Sequence, residues 1–349
     1  MKKIVMFVFA LVALFGLASC GAKEYKLGMG VEVSTASSSN ASATKNGNAQ
    51  VDATVAAVVL DAEGKIAACR IDAVQNKIAV TKEGKVTVPA TFKTKMEQGS
   101  AYGMAEYGSD NNGDDIVKEW NEQAKAFETY VVGKTADQIN ALELQEVNGH
   151  KISKDDALLN AGCTIQITDF ITAVVKACKD QFAVSFKAGE FTLGVAANSE
   201  NDGSKNATDK AAGAVQVYSD FAATVVADGK IVAALNDAIQ PKFAVSATGE
   251  LTATFSDTKR ELKEKYNMAT YGKDQDNNGD GTVKEWYLQS EAFSQFVVGK
   301  TGAEVSGLEV QTLENGYKIA KDEALLTAGC TIQITGIKEV VAKAFTNAR

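Results

Sequence analysis

Residues 274–285 read DQDNNGDGTVKE, side chains of the type and spacing that hold a divalent cation. Asp274, Asp276, Asn278, Gly279 and Glu285 fall at positions 1, 3, 5, 6 and 12 of a calcium loop. There, alternating oxygens wrap the ion, glycine makes the bend and the distal glutamate closes the shell. A second register, Asp276, Asn278, Asp280 and Gly281, puts Tyr287 where that carboxylate belongs. The earlier stretch DNNGDDIVKE keeps Asp110, Asn112 and Asp114 but lacks the Asp-Gln insertion. The competing reading of both stretches is a polar Asn-Gly turn with solvated charges. Other metal and nucleophile chemistry is scarce. The one histidine, His150, follows Asn148-Gly149 and reads as a solvated turn. A single histidine excludes a duplicated Ser-His-Asp or Cys-His machine. Cys69, Cys163, Cys178 and Cys330 form no CxxC pair, which argues against zinc, and are too few for a disulfide framework.

The chain opens with Lys2 and Lys3, an apolar run from Ile4 to Leu17, and then Leu17-Ala18-Ser19-Cys20. This is the layout of a secretory signal, too short to span a bilayer comfortably. The tetrapeptide resembles the lipobox of bacterial lipoproteins. The resemblance implies removal of residues 1–19, lipid on Cys20 and a short tether over 20–24. It also implies a place on the extracytoplasmic face of the cell membrane. The net charge of −8 argues against a nucleic-acid surface.

The elements that must position any site are written twice. EWNEQAKAFETYVVGKT at 119–135 returns as EWYLQSEAFSQFVVGKT at 285–301, and DALLNAGCTIQIT at 156–168 returns as EALLTAGCTIQIT at 323–335. A period of about 165 residues is too long for a solenoid and marks a duplicated domain, here 25–181 and 182–349. Each copy opens on an apolar segment (Leu27 to Val33; Phe191 to Ala196). A polar stretch follows (34–50; 198–213) whose composition predicts a long loop. Next comes a hairpin turning at Asp61–Gly64 or Ala227–Gly229, with a second turn at Lys82–Gly84 or Ala247–Gly249. The period then becomes helical: Lys259 to Met268 and Lys284 to Val298 read as amphipathic helices, with Gly133 and Gly299 ending the second helix of each copy. A last strand, Cys163 to Thr168 or Cys330 to Thr335, runs into a closing helix. Strands and helices in separate blocks predict an α+β fold with an antiparallel sheet packed with helices. Cys69 and Cys178 match Ala234 and Phe345, which predicts core packing for both.

Ala161-Gly162-Cys163-Thr164 and Ala328-Gly329-Cys330-Thr331 resemble the Ser-Gly-Ala-Thr stretch of covalently flavinylated FMN-binding domains. Further blocks resemble the two-domain lipoproteins of that family that serve extracellular electron transfer. They are Thr94-Lys95, Tyr102-Gly103-Met104, Glu119-Trp120 and Val132-Gly133-Lys134-Thr135, which return as Thr258-Lys259, Tyr266-Asn267-Met268, Glu285-Trp286 and Val298-Gly299-Lys300-Thr301. The resemblance implies a flavin transferase that esterifies the FMN phosphate to Thr164 and Thr331, so two covalent FMN groups are expected. Glycine permits close approach of a phosphate, and a β-branched threonine has few rotamers. Trp120 and Trp286 are candidates to stack on the ring. Met104, Met268, Tyr102 and Tyr266 are candidates for its other face, and Lys95 and Lys259 for the phosphate or the reduced ring. The pattern departs from the family in having cysteine before the threonine, and Leu158 and Leu325 where an acid is preferred.

The function these readings imply is a membrane-anchored flavoprotein electron carrier. Its donor would be a membrane quinol dehydrogenase or a similar source, and its acceptors external. A calcium-stabilised surface adhesion module without flavin is the alternative, and a scaffold that has lost the flavin a third reading.

Overall fold

A computed structural model describes residues 22–113, 115–255, 257–271, 276, 281–314 and 316–349. Residues 1–19, expected to form a signal, and Cys20, Asp114, Asp274, Asn278 and Asp280 lie outside the described residues. No helix of the described residues is long and apolar enough to cross a membrane.

The fold is α+β with antiparallel sheets. In the first sheet β1 (Lys23–Ser34), β2 (Gly47–Leu60), β3 (Ile66–Val80) and β4 (Val86–Thr87) form a meander. After the hairpin β5 (Leu144–Val147) and β6 (His150–Ser153), β7 (Val184–Ala188) returns to the first sheet. It pairs with β1, Lys23 opposite Ala188 through to Leu27 opposite Val184. The first sheet thus takes an edge strand from beyond residue 181. In the second sheet β9 (Gly213–Ala227) pairs with β8 (Thr192–Asn201) and β10 (Lys230–Ile239). Its first residues also pair with β11 (Lys242–Val245), which pairs with β12 (Leu251–Thr254). The long β3 of the first repeat corresponds to β10 and β11 of the second. Pro241 divides them because it has no N–H to give to the ladder. A last hairpin joins β13 (Val310–Thr312) and β14 (Lys318–Ala320).

The two sheets share one core. Val51, Ala53, Val55, Ala57 and Val59 of β2 pack in the same cluster as Val215, Val217, Ala223 and Val225 of β9. The alternate residues face outward onto helices. Ala56 and Val58 join Phe127, Phe170 and Val174, while Ala222 joins Phe293, Ile337 and Val341. The order is helices, sheet, sheet, helices. Central strands buried on both faces explain why the strand sequences read as continuous Val and Ala runs instead of alternating. The closing helices, Thr168–Cys178 and Thr335–Thr346, lie so close to the sheets that a Cβ on Gly28 would meet the Ala177 carbonyl oxygen at 2.1 Å. One on Gly194 would meet that of Ala344 at 1.9 Å.

Several expectations change. The polar stretches are shorter loops than their composition predicts: β2 begins at Gly47, and β8 runs to Asn201 because its polar residues pair with β9. The expected helix from Lys259 to Met268 is a helix Lys259–Leu262, a 3-10 turn Lys263–Tyr266 and a helix Met268–Tyr271. Lys263 (φ 50°) and Asn267 (φ 63°) take left-handed backbone and break the run, as Gly99 and Gly103 do in the first repeat. The stretch Lys284 to Val298 contains the helix Trp286–Phe296. The expected last strand is irregular: residues 163–167 and 330–334 pair with no strand, and helix resumes at Thr168 and Thr335. His150 is the first residue of β6, after a turn at Asn148 (φ 51°) and Gly149 (φ 78°). The turn is as its Asn-Gly sequence reads, while the two strands beside it are not expected from the polar sequence around it.

Candidate functional site

The segment carrying each threonine starts as a helix end. The short helices Asp156–Asn160 and Glu323–Thr327 are N-capped by Asp155 and Asp322. Each closes with two reversed hydrogen bonds: Cys163 N–H to Leu158 O (3.2 Å) with Gly162 N–H to Leu159 O (2.8 Å), and Cys330 to Leu325 (3.1 Å) with Gly329 to Leu326 (2.9 Å). This is the glycine-dependent Schellman cap, and Gly162 (φ 85°) and Gly329 (φ 87°) supply its left-handed residue. The buried pairs Cys163–Leu158 and Cys330–Leu325 sit where that motif places its apolar contact. Burial pushes both thiols up to about 12. Glycine, cysteine and leucine therefore have a structural reason. The threonine has none from the cap.

Thr164 and Thr331 are held by a glutamine that sequence reasoning missed. Gln123 Oε1 accepts from Thr164 N–H (2.8 Å) and Ile165 N–H (3.1 Å), and lies 3.4 Å from Thr164 Oγ1. Gln289 holds Thr331 in the same way, at 2.7 Å to N and 3.3 Å to Oγ1. Each glutamine also donates to the carbonyl of Lys118 or Lys284, at 2.7 Å, and to the sulfur of Met104 or Met268, at 3.5 Å. Its signal was the repeated spacing Trp-x-x-Gln, in EWNEQ and EWYLQ, one helical turn that puts both side chains on one face.

A second missed residue is the lysine over the turn. Lys118 Nζ donates to Ala161 O (3.0 Å) and Lys284 Nζ to Ala328 O (2.8 Å). A Cβ on Gly162 or Gly329 would meet that ammonium nitrogen at 2.5 or 2.6 Å, so the glycine makes room for it. Asn111 Nδ2 donates to Thr164 O (2.9 Å). The hydroxyl-bearing residues are buried, Thr164 at 2 % exposure and Thr331 at 3 %.

A cavity lies next to each threonine segment, lined by the two residues that follow the threonine and not by the threonine itself. The first, about 310 Å³, is walled by Lys95, Met104, Trp120, Ile165 and Gln166, with exposed His150 at its margin. The second, about 220 Å³, is walled by Lys259, Tyr266, Met268, Trp286, Ile332 and Gln333, with Tyr317 at the position of His150. Tyr102 instead lines a neighbouring surface concavity with Met104 and Gly103. The tryptophans are core residues, 3 % and 2 % exposed, and the edge-to-face contact of Trp120 with Phe170 (5.6 Å) occupies one side of its ring. The lysines lie over rings: Lys95 Nζ is 5.0 Å from the Tyr102 centroid and 5.4 Å from Trp120, and Lys259 Nζ 4.3 Å from Tyr218 and 4.7 Å from Tyr266. Burial lowers the pKa of Lys259, which is 6 % exposed.

The acidic loops border this region. Asp110 accepts from the amides of Asn112, Gly113 and Asp115, and Asp276 from that of Gly281 (2.9 Å). Glu285, expected to close a calcium shell, accepts from Met268 N–H (2.9 Å) and Ala269 N–H (3.1 Å). Glu119 does the same for Met104 and Ala105. These glutamates anchor the short helix that carries the methionine. Among the described residues no group of three or more His, Cys, Asp or Glu is placed to hold a metal. Comparison of the chain with family models, with curated proteins and with solved structures gives no match.

Proposed function

We propose that this chain is a lipid-anchored, extracytoplasmic electron carrier with one flavin mononucleotide bound covalently to Thr164 and one to Thr331. Electrons would come from a membrane dehydrogenase or quinol and leave to external acceptors. One observation carries the reading: the same constellation is built twice around a threonine that the helix cap does not need. In each repeat a glutamine fixes the threonine backbone, a lysine ammonium lies over the preceding glycine, and a cavity with lysine, methionine and tryptophan in its walls opens beside that segment. These residues fit a phosphate ester. The glycine lets the lysine ammonium lie over the turn, where it would offset the charge of a phosphate on the threonine. The isoalloxazine supplies the redox chemistry when bound, and the protein supplies binding, orientation and electrostatics. Gln123 and Gln289 orient the hydroxyl, while Lys95 and Lys259 place positive charge at the cavity wall. Thr164 is buried with Oγ1 3.4 Å from Gln123 Oε1, so esterification would require the turn to open to the transferase. An anchor at Cys20 would keep the carrier at high effective concentration beside its donor.

The test is the intact mass of the mature protein made with a flavin transferase. Two FMN adducts are expected, one in Thr164→Ala or Thr331→Ala, and none in the double variant, with flavin fluorescence surviving denaturation. Unmodified mass in the wild type would sink the reading.

A further inference from the structure

The two cavities have matched positions and unmatched charge. Among the described residues the first presents Lys95 and Asp169, one ammonium against one carboxylate. Among the described residues the second presents Glu200, Asp202 and Asp220 against Lys259. Asp220 stands where the first repeat has Thr54, and Gly336 where it has Asp169. Asp220 is 5 % exposed and its Oδ1 has no hydrogen-bond partner. The Lys259 ammonium donates to the Tyr218 hydroxyl (3.1 Å) and makes no hydrogen bond to this oxygen. Burial raises the pKa of Asp220 and lowers that of Lys259, each away from its charged form. Above about pH 7, where Asp220 is ionised, its buried carboxylate is an unfavourable neighbour for added negative charge, because low local dielectric leaves the repulsion poorly screened.

We infer that the two sites are poised at different reduction potentials, the second repeat lower, so that electrons run from the site at Thr331 to the site at Thr164. This rests on the flavin reading. Reduction adds electrons to the ring, and the excess carboxylates of the second cavity oppose that more than the balanced pair of the first. In the transfer, the reduced group at Thr331 loses two electrons and returns to its oxidised form. The oxidised group at Thr164 gains them, and protons released at one site balance those taken up at the other. The membrane donor named above then re-reduces the second site.

The test is spectroelectrochemical titration of the full mature protein, loaded by a co-expressed flavin transferase. Thr331→Ala reports the first site alone and Thr164→Ala the second. The second is expected lower by at least tenfold in its reduction equilibrium, about 30 mV for a two-electron couple. Asp220→Asn is expected to raise the second site's potential and leave the first unchanged. Wild-type protein should show the same separation as two waves, which serves if a threonine variant folds poorly. Equal or inverted potentials overturn the ordering, and so does an unmoved second site in Asp220→Asn. Absence of both adducts in the intact mass overturns the flavin reading itself, and the ordering with it.

Discussion

Where each closing helix ends, the two repeats meet the same packing problem with different charges. In the second, Arg260 is buried against the end of the first closing helix. Its guanidinium donates to Asp180 (2.6 Å) and to Met29 O (3.2 Å), and approaches Asp237 at 3.8 Å. At the matching contact Met96 of the first repeat takes the place of Arg260, and Asn347 of the second repeat that of Asp180. Asn347 donates to Val195 O (3.0 Å), whereas Asp180 accepts from Met29 N–H (3.0 Å). The same backbone path therefore closes with or without a buried ion pair. The pair is a local solution, and its worth lies in mutual compensation of two desolvated charges.

That comparison breaks most sharply at Arg260. Arg260→Met imports the first repeat's residue but strands Asp180, whose side chain is 4 % exposed. A loss of about 3 kcal/mol is expected in denaturant unfolding. Arg260→Met with Asp180→Asn imports the neutral pair, and most of that loss should return. Failure of the double variant to recover would show that Arg260 is needed for more than Asp180, with its Nε, 3.8 Å from Asp237, as the place to look.

A smaller effect separates the buried aspartates Asp72 and Asp237, which hold the same position in the two repeats. Burial raises both to about 6, against hydrogen bonds from the backbone amides of Ala73 and Met96 in one and Ala238 and Arg260 in the other. A carboxyl whose folded pKa exceeds its unfolded value binds more protons when folded. Stability therefore falls as pH rises from about 4 through about 6, and the cost is fully present at pH 7. Asp72→Asn keeps an acceptor for both amides and removes the charge. It should flatten that slope and add about 1 kcal/mol at pH 7. Asp237→Asn should gain less, because Arg260 already offsets that charge. Equal gains at pH 7 would mean that Arg260, at 3.8 Å, does little for Asp237.

How much of this was legible in the residues depends on what each pattern encodes. The duplication, the α+β class and the hairpin turn at Ala227–Gly229 were legible, because local chemistry decides them: Asp228 (φ 50°) and Gly229 (φ 72°) are a two-residue turn in their own right. Lys259, Tyr266, Met268 and Trp286, singled out by resemblance, line one cavity, whereas Tyr102 of the first repeat does not line the matching one. The face-to-face pairing of the sheets was not. The apolar run of β2 announces burial on both faces without naming the partner, which is the other repeat. Gln123 was overlooked because a glutamine on an amphipathic helix looks like any solvated residue until its oxygen is seen to meet the amides of Thr164 and Ile165. The path after Gly162 reads as strand because Ile165 and Ile167 alternate with polar residues, whereas the chain forms no ladder there and touches the hairpin through the hydrogen bond from Ile167 N–H to Lys151 O (3.2 Å).

The smallest expected effect concerns the ion pairs that cross between repeats. Lys343 of the second closing helix meets Glu97 of the first repeat at 2.7 Å, and Lys176 of the first meets Glu261 of the second at 3.4 Å. The geometry is reciprocal and the competition is not. Lys176 is shared with Glu32 at 3.2 Å, and its pair is about a third exposed on both sides. Lys343 is 21 % exposed in its side chain. Partly exposed pairs contribute a few tenths of a kcal/mol to about 1 kcal/mol and weaken with salt. A double-mutant cycle with Lys343→Met and Glu97→Gln should therefore give the larger coupling, about 0.5–1 kcal/mol at low salt. The matching cycle at Lys176 and Glu261 should give less, because Glu32 retains the lysine when Glu261 is neutralised. Glutamine is the right probe at Glu97, since it still accepts from Thr94 N–H (2.8 Å) and preserves the helix cap. Equal couplings would mean that distance and burial do not distinguish the pairs. A coupling at Lys343 that survives 1 M salt would mean that the interface shields it more than its exposure implies.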